Sequence, residues 1–311
     1  MFKKQQWLAA GLLIVLLMSA VSCRSKYEKL KMSNNSQAKM QEGMKLYNKK
    51  EYAKALGLFE TLVTTFRGRE GAEELFYYYA MANYMLKDYT AAAYSFKQFA
   101  DTYPSNQHAE ECRFLTAYCY YLDAPNYSLD QENTLKAIDR LQLFINLYPK
   151  SDRVAEANKL IQELHERLEQ KAYANAKLYF ILKEYQSAVI TMNNALRDYP
   201  DTKYSEELEY LIVNSQYMYS KGSREDKQED RFNQTITYAD DFTAKYPQSK
   251  YGKEVAGFKA ESQNGIRKAK AYLAEVATNQ KALQRFLKKD TTKKGAAPKA
   301  EVIDDNKKIP N

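Results

Sequence analysis

The chain has few of the residues that build turns and strands. Its 311 residues hold 10 glycines and 7 prolines, and alternating runs of Val, Ile and Thr are missing, so a sheet has little to be made from. Ala, Glu, Lys, Leu, Gln and Tyr dominate, and the mean hydropathy is −0.66. This pattern predicts an all-α protein. Histidine is scarcer still: His108 and His165 are the only two, and "HERLE" lacks the second imidazole of a zinc helix. Neither a G-x-S-x-G elbow, a G-x-G-x-x-G turn nor a phosphate loop occurs. Acidic residues alternate with Lys and Arg at helical spacing, as in "QELHERLEQK", which is the pattern of a solvated face. An enzyme, a metal site and a cofactor are therefore not expected. Of the three cysteines, Cys112 and Cys119 are seven residues apart on one predicted helix, roughly 10.5 Å along its axis. A disulfide needs Cα atoms within about 7 Å, so both are expected in the core.

Long apolar runs are also missing. The longest, Trp7 to Met18, has 12 residues, against the roughly 20 that span a bilayer. Preceded by Lys3 and Lys4 and followed by small residues, it predicts an export signal over residues 1–22. The ending "SAVSC" resembles a bacterial lipoprotein cleavage box, with Ala20 at the third position before Cys23. That resemblance implies lipidation of Cys23, followed by a tether over residues 23–35. Arg24 and Ser25 follow it, with no Asp of the kind that implies inner-membrane retention. The implied location is the outer membrane, facing the periplasm, on an anchor of several acyl chains. The formal charge is +8, and removal of the signal leaves +6. The basic residues read as spread along the chain. An anionic membrane surface, an acidic partner and simple solubility all fit, and nucleic acid is not favoured.

What the sequence does have is one phrase said four times: "TYPSNQHAEE", "LYPKSDRVAEA", "DYPDTKYSEEL" and "KYPQSKYGKEVA". Twelve residues before Pro104, Pro149, Pro200 and Pro247 stand Ala92, Ala137, Ala188 and Thr235. The same count back from Arg67 lands on Ala55, which adds a first repeat without its proline. Four residues after each anchor come Phe59, Phe96, Leu141, Met192 and Ala239, and three before it Tyr52, Tyr89 and Tyr185 close Lys-acid-Tyr turns. A small residue lets helices approach, a bulky one fills the next groove, and proline cannot continue the helix. The pattern resembles the second helix of the tetratricopeptide repeat. Gly43 and Ala80, twelve before Ala55 and Ala92, stand where that family places a small residue in its first helix. The fold expected is a tetratricopeptide-like helical solenoid of about five helix-turn-helix repeats.

Anchor spacings of 37, 45, 51 and 47 exceed the 34 of the repeat, so insertions are expected. One is "LDAPNYSLDQENT" at residues 122–134, and a second is a long helix from residue 151 to 182. "SKGSREDKQED" reads as the turn of the fifth repeat. The domains that follow are repeats one to three over 36–150, the long helix with repeats four and five over 151–265, and a basic helix with a disordered tail over 266–311. In the first helices, Met40, Met44 and Tyr47, and likewise Tyr77, Met81 and Tyr84, follow i, i+4, i+7 and form two stripes. They fit a peptide-binding groove. They fit inter-repeat packing equally well.

"EGMKLYNKKEYAKALGLFETLVTTF", "YSLDQENTLKAIDRLQLFINLYPKSDRVAEA" and "ERLEQKAYANAKLYFILKEYQSAVITMNNALRDYPDTKYSEE" resemble the first, third and fourth repeats of the BamD family of outer-membrane assembly lipoproteins. The resemblance covers roughly residues 36–260 and departs at "FRGREG" and in the tail. It implies a scaffold without a cofactor, whose partners are the periplasmic domains of the central barrel-assembly protein and unfolded outer-membrane proteins. It also implies that repeats four and five dock the barrel component. A periplasmic repeat lipoprotein scaffolding cell-envelope or peptidoglycan enzymes is the alternative.

Overall fold

A computed structural model of the chain describes residues 26–66, 69 and 71–294. Among the described residues there are twelve α-helices and no strand. The chain divides into two compact units, residues 1–170 and 171–311. The first holds α1 (Lys26–Lys31), α2 (Ser36–Asn48), α3 (Tyr52–Phe66), α4 (Glu73–Met85), α5 (Tyr89–Thr102), α6 (Ala109–Leu122) and α7 (Glu132–Leu147). Helix α8 (Val154–Ile181) contributes to both, and the second holds α9 (Tyr185–Asp198), α10 (Ser205–Lys221), α11 (Glu225–Lys245) and α12 (Gly252–Lys294). The fold is all-α and of tetratricopeptide type, built from helical hairpins.

Local chemistry sets the hairpins. In the Lys-acid-Tyr turns, Lys50, Lys87 and Lys183 take a left-handed conformation, each with φ 63°. The next residue's N–H then reaches back to the carbonyl of Leu46, Asn83 or Tyr179 at 2.9–3.0 Å, satisfying groups that the helix end leaves open. Asp88 also caps α5, its side chain accepting from the Ala91 N–H at 3.0 Å. At the other end of the four later hairpins the prolines follow a C-cap tyrosine, as Pro104 follows Tyr103, whose N–H donates to Phe99 O at 2.8 Å.

Packing follows the twelve-residue register. Ala55, Ala92, Ala137, Ala188 and Thr235 are wholly buried, as are Phe59, Phe96, Leu141 and Met192 four residues on. Gly43 shows why the small residue matters: a Cβ there would lie 2.5 Å from Cε1 of Phe59, closer than any side chain tolerates. Cys112 and Cys119 are buried free thiols, and burial pushes Cys119 up to about 12 and raises Cys112 as well. Neither is poised for thiolate chemistry.

The insertion after α6 is tied down by Gln131, whose Nε2 donates to the carbonyls of Asn126 and Leu129, while Thr134 donates to its Oε1. Arg167 of α8 adds bonds to the carbonyls of Ala124 and Pro125. Three expectations need correction. Only residues 222–224 of "SKGSREDKQED" separate α10 from α11, because the acidic half, with Glu225 and Asp226 in its first turn, favours a helix start. The tail expected to be disordered is helical as far as Lys294, and its remainder lies outside the described residues, as do the signal segment and Cys23. Basic residues are also not evenly spread: from Ile266 to Lys294 there are nine Lys and Arg against two acids, a net +7 within a chain total of +8.

Candidate peptide-binding site

The repeated phrase does more than end a helix. Four residues after each proline stand His108, Arg153, Tyr204 and Tyr251, and seven after it Glu111, Glu156, Glu207 and Glu254. These side chains clasp the preceding repeat. Tyr77 stacks on His108 at 4.1 Å and donates to Glu111 at 3.0 Å. Tyr210 stacks on Tyr251 at 4.1 Å and donates to Glu254 at 2.6 Å. Tyr173 stacks on Tyr204 at 4.2 Å, and Lys177 bridges its hydroxyl (2.7 Å) to Glu207 (2.8 Å). In the third repeat a phenylalanine takes the tyrosine's place, and the Arg153 guanidinium lies 4.5 Å from the Phe114 ring centroid. Burial first, and then the Glu254 hydrogen bond, pushes Tyr210 up to about 12; Tyr77 is raised by burial and Glu111 in the same way. Removing one hydroxyl from the clasp, as in Tyr210→Phe, is expected to cost about 1 kcal/mol, since the bond to a charged acceptor is partly exposed. Glu254→Gln in the same background should then add little, and thermal unfolding of the four-member cycle measures that coupling.

The first junction lacks the clasp. Tyr77 and Tyr173 stand 31 residues before His108 and Tyr204; 31 before Gly71 stands Met40, and Glu74 occupies the carboxylate position. So the donor tyrosine is replaced by a methionine and the stacking ring by a glycine. Gly71 has φ 77° and nothing within 4 Å of where its Cβ would be. No described residue hydrogen-bonds or ion-pairs with the Glu74 carboxylate, which is exposed. What remains is a cavity of about 390 Å³ between Met40, Leu62, Phe66, Gly71 and Glu74.

Glu74 also borders two further cavities. One of about 670 Å³ runs along α2 past Met44, Lys45 and Lys49. Another, of about 380 Å³, is lined by Tyr77, Tyr78, Asn106 and His108. Together they form one groove across the first two hairpins, apolar at Met40 and Phe66, acidic at Glu73 and Glu74, and basic at Lys45 and Lys49. Its dimensions suit side chains of an extended or helical peptide.

A family model described as YfiO, outer membrane lipoprotein, matches residues 32–228. The chain belongs to this family. A relative of the YfiO type from Rickettsia prowazekii (strain Madrid E), named outer membrane protein assembly factor BamD, is 23% identical over 216 residues, 70% of this chain and 85% of the relative. A protein of the same name from Caulobacter vibrioides (strain ATCC 19089 / CIP 103742 / CB 15) is 24% identical over 132 residues, 42% of this chain and 43% of that one. Similar solved structures include the complex of the TPR2AB domain of yeast Sti1 with pHSP90, with TM-score 0.35 and 13% identity over 80% of this chain and 96% of that one. Another is a thermophilic tetratricopeptide protein of Thermus thermophilus, with TM-score 0.29 and 15% identity over 74% of this chain and 98% of that one.

Within this member of the YfiO family the two stripes divide. Met40, Met44 and Tyr77 line the groove. Tyr47 stands beside it, edge-on to Tyr78 at 5.0 Å and to Tyr52 at 5.2 Å, and burial with these two neighbours pushes its hydroxyl up to about 12. Met81 and Tyr84 line none of the three cavities: they pack on the core of the second and third hairpins, Tyr84 against Tyr89 and Phe96. Glu74, Gly71, Tyr78 and His108 escape the sequence reading. Comparing the columns four and seven residues after each proline would have found the first two.

Proposed function

We propose that this chain is a scaffold for assembling outer-membrane β-barrel proteins, held at the periplasmic side of the outer membrane by a lipid on Cys23. The groove of the first two hairpins takes segments of unfolded barrel proteins. The observation that carries this reading is the vacant first clasp, where Met40, Gly71 and the unpartnered Glu74 leave room for an aromatic side chain with a hydroxyl to donate. Such side chains are what the other junctions accept from within the chain. Membership of the YfiO family and the assembly-factor name of the relatives supply the outer-membrane context.

The second unit is the dock for the central barrel component. Leu178, Ile181 and Leu182 at the end of α8 and Ile190 on α9 are 49–63% exposed, a group of apolar side chains that a partner covers at little desolvation cost. Binding needs no chemistry of its own, and the rigid clasps hold both surfaces ready.

Photo-crosslinkers placed at the exposed positions Gln41 and Ile190, in native membranes, test both ends. The expected result is recovery of unfolded barrel proteins from Gln41 and of a barrel protein bearing periplasmic domains from Ile190, with many unrelated barrels lost on depletion. Recovery of cell-wall enzymes from both positions, with barrels intact after depletion, would sink the assembly reading in favour of an envelope-enzyme scaffold.

A further inference from the structure

Helix α12 changes character along its length. Up to Ala269 it is packed: Val255, Ser262 and Ala269 are buried, and a Cβ on Gly265 would fall 2.5 Å from the Phe232 ring. The same stripe then continues uncovered. Tyr272, Leu273, Leu283 and Phe286 are 51, 39, 58 and 67% exposed, and from Lys270 to Leu287 every residue is exposed except the half-buried Val276. At 100° per residue, Tyr272, Val276, Leu283 and Phe286 share one face. Lys281 and Arg285 stand on the other, as does Lys270, which pairs with Glu229 of α11 at 2.7 Å, and Glu275 is the only acid between Ile266 and Leu287. From Ala269 to Leu287 the helix runs about 27 Å.

We infer that this end of α12 is an amphipathic membrane-surface helix whose partner is an anionic phospholipid bilayer. Charge complementarity selects that occupant. The segment from Ile266 to Lys294 carries +7, while the rest of the chain is close to neutral. A second copy would set two such segments against each other, which like-charge repulsion opposes. No described helix is long and apolar enough to cross a membrane, so the helix lies in the interface plane. Its apolar face sinks to the acyl boundary, and its lysines and arginines meet the lipid phosphates. This inference is independent of the peptide groove and of the barrel-assembly reading, and it gives the second unit a membrane contact separate from the N-terminal lipid.

The test is vesicle flotation with the full mature chain carrying Cys23→Ser, so that no acyl group masks the helix. Vesicles of phosphatidylglycerol and phosphatidylcholine in equal parts are compared with phosphatidylcholine alone. Flotation is expected with the anionic vesicles only, falling steeply between about 0.1 M and about 1 M salt as the Debye length shrinks. Lys281→Glu and Arg285→Glu should each weaken it about fivefold or more, and Leu283→Glu with Phe286→Glu should abolish it. All four positions are exposed or flank the exposed face, and circular dichroism checks that the helix survives. Equal flotation with neutral vesicles, no flotation, or flotation unchanged in the variants each overturns the inference. So does concentration-dependent dimerisation that the Leu283 and Phe286 changes remove, which would assign the face to a second copy.

Discussion

Phe59→Ala should lower the stability of the first hairpin by about 3–5 kcal/mol. Phe59 is wholly buried on α3, four residues after the wholly buried Ala55, and its ring edge lies over Gly43 of α2. Removing the ring leaves a void between the two helices, and the glycine offers nothing to collapse into it. Gly43→Val is the converse: a side chain is driven into the ring, for a cost of about 1–3 kcal/mol from overpacking. The two changes share one volume, so the double variant should cost less than the sum of the singles. Tyr94→Ala, on the 62% exposed face of α5, is the control and should stay within about 0.5 kcal/mol. Hydrogen–deuterium exchange of α2 and α3 reads these differences locally, without assuming that both units unfold together. Protection of α2 unchanged by Phe59→Ala would show that the crossing is not what holds this hairpin.

That crossing was legible in the sequence, and the reason is physical. A helix pair that packs closely must repeat a small residue and a large one at fixed distances, so Gly43, Ala55 and Phe59 announce their contact through spacing alone. The prolines announce helix ends for the same reason. Sequence reading stopped short where a contact joins distant positions whose spacing insertions change, 31 residues from Tyr173 to Tyr204 but 41 from Tyr210 to Tyr251. Tyr77 and His108 lie 31 residues apart, and only the folded hairpins show that one stacks on the other. The first-helix stripe was ambiguous because the same Tyr and Met residues suit a groove and a core, and the fold keeps both uses: all six are half-buried against core clusters, while Met40, Met44 and Tyr77 also border cavities. At the end of the chain, the polarity from Lys288 on was read as a lack of structure. Yet Lys and Arg favour helix whether or not a neighbour packs on it, and α12 continues to Lys294.

Met40→Tyr should close the vacant junction and reduce binding of unfolded barrel segments about tenfold or more, as the loss of a central anchor pocket does. The substitution supplies the tyrosine that the register already calls for, 31 residues before Gly71, as Tyr77 precedes His108 and Tyr173 precedes Tyr204. Its ring would enter the cavity of about 390 Å³, and its hydroxyl would donate to Glu74 in place of a client side chain. The variant should therefore melt at a higher temperature than the parent while binding worse, a pairing that simple damage to the fold does not produce. Glu74→Gln alone should weaken binding of a tyrosine-bearing segment more than that of the same segment with phenylalanine, because only the phenol offers an O–H to the carboxylate. Fluorescence anisotropy with labelled segments of unfolded barrel proteins measures both. Unchanged affinity in Met40→Tyr, together with the raised melting temperature, would mean that the clasp closes but clients bind elsewhere. Met44 and the basic edge at Lys45 and Lys49, along the cavity of about 670 Å³, would then be the surface that holds them.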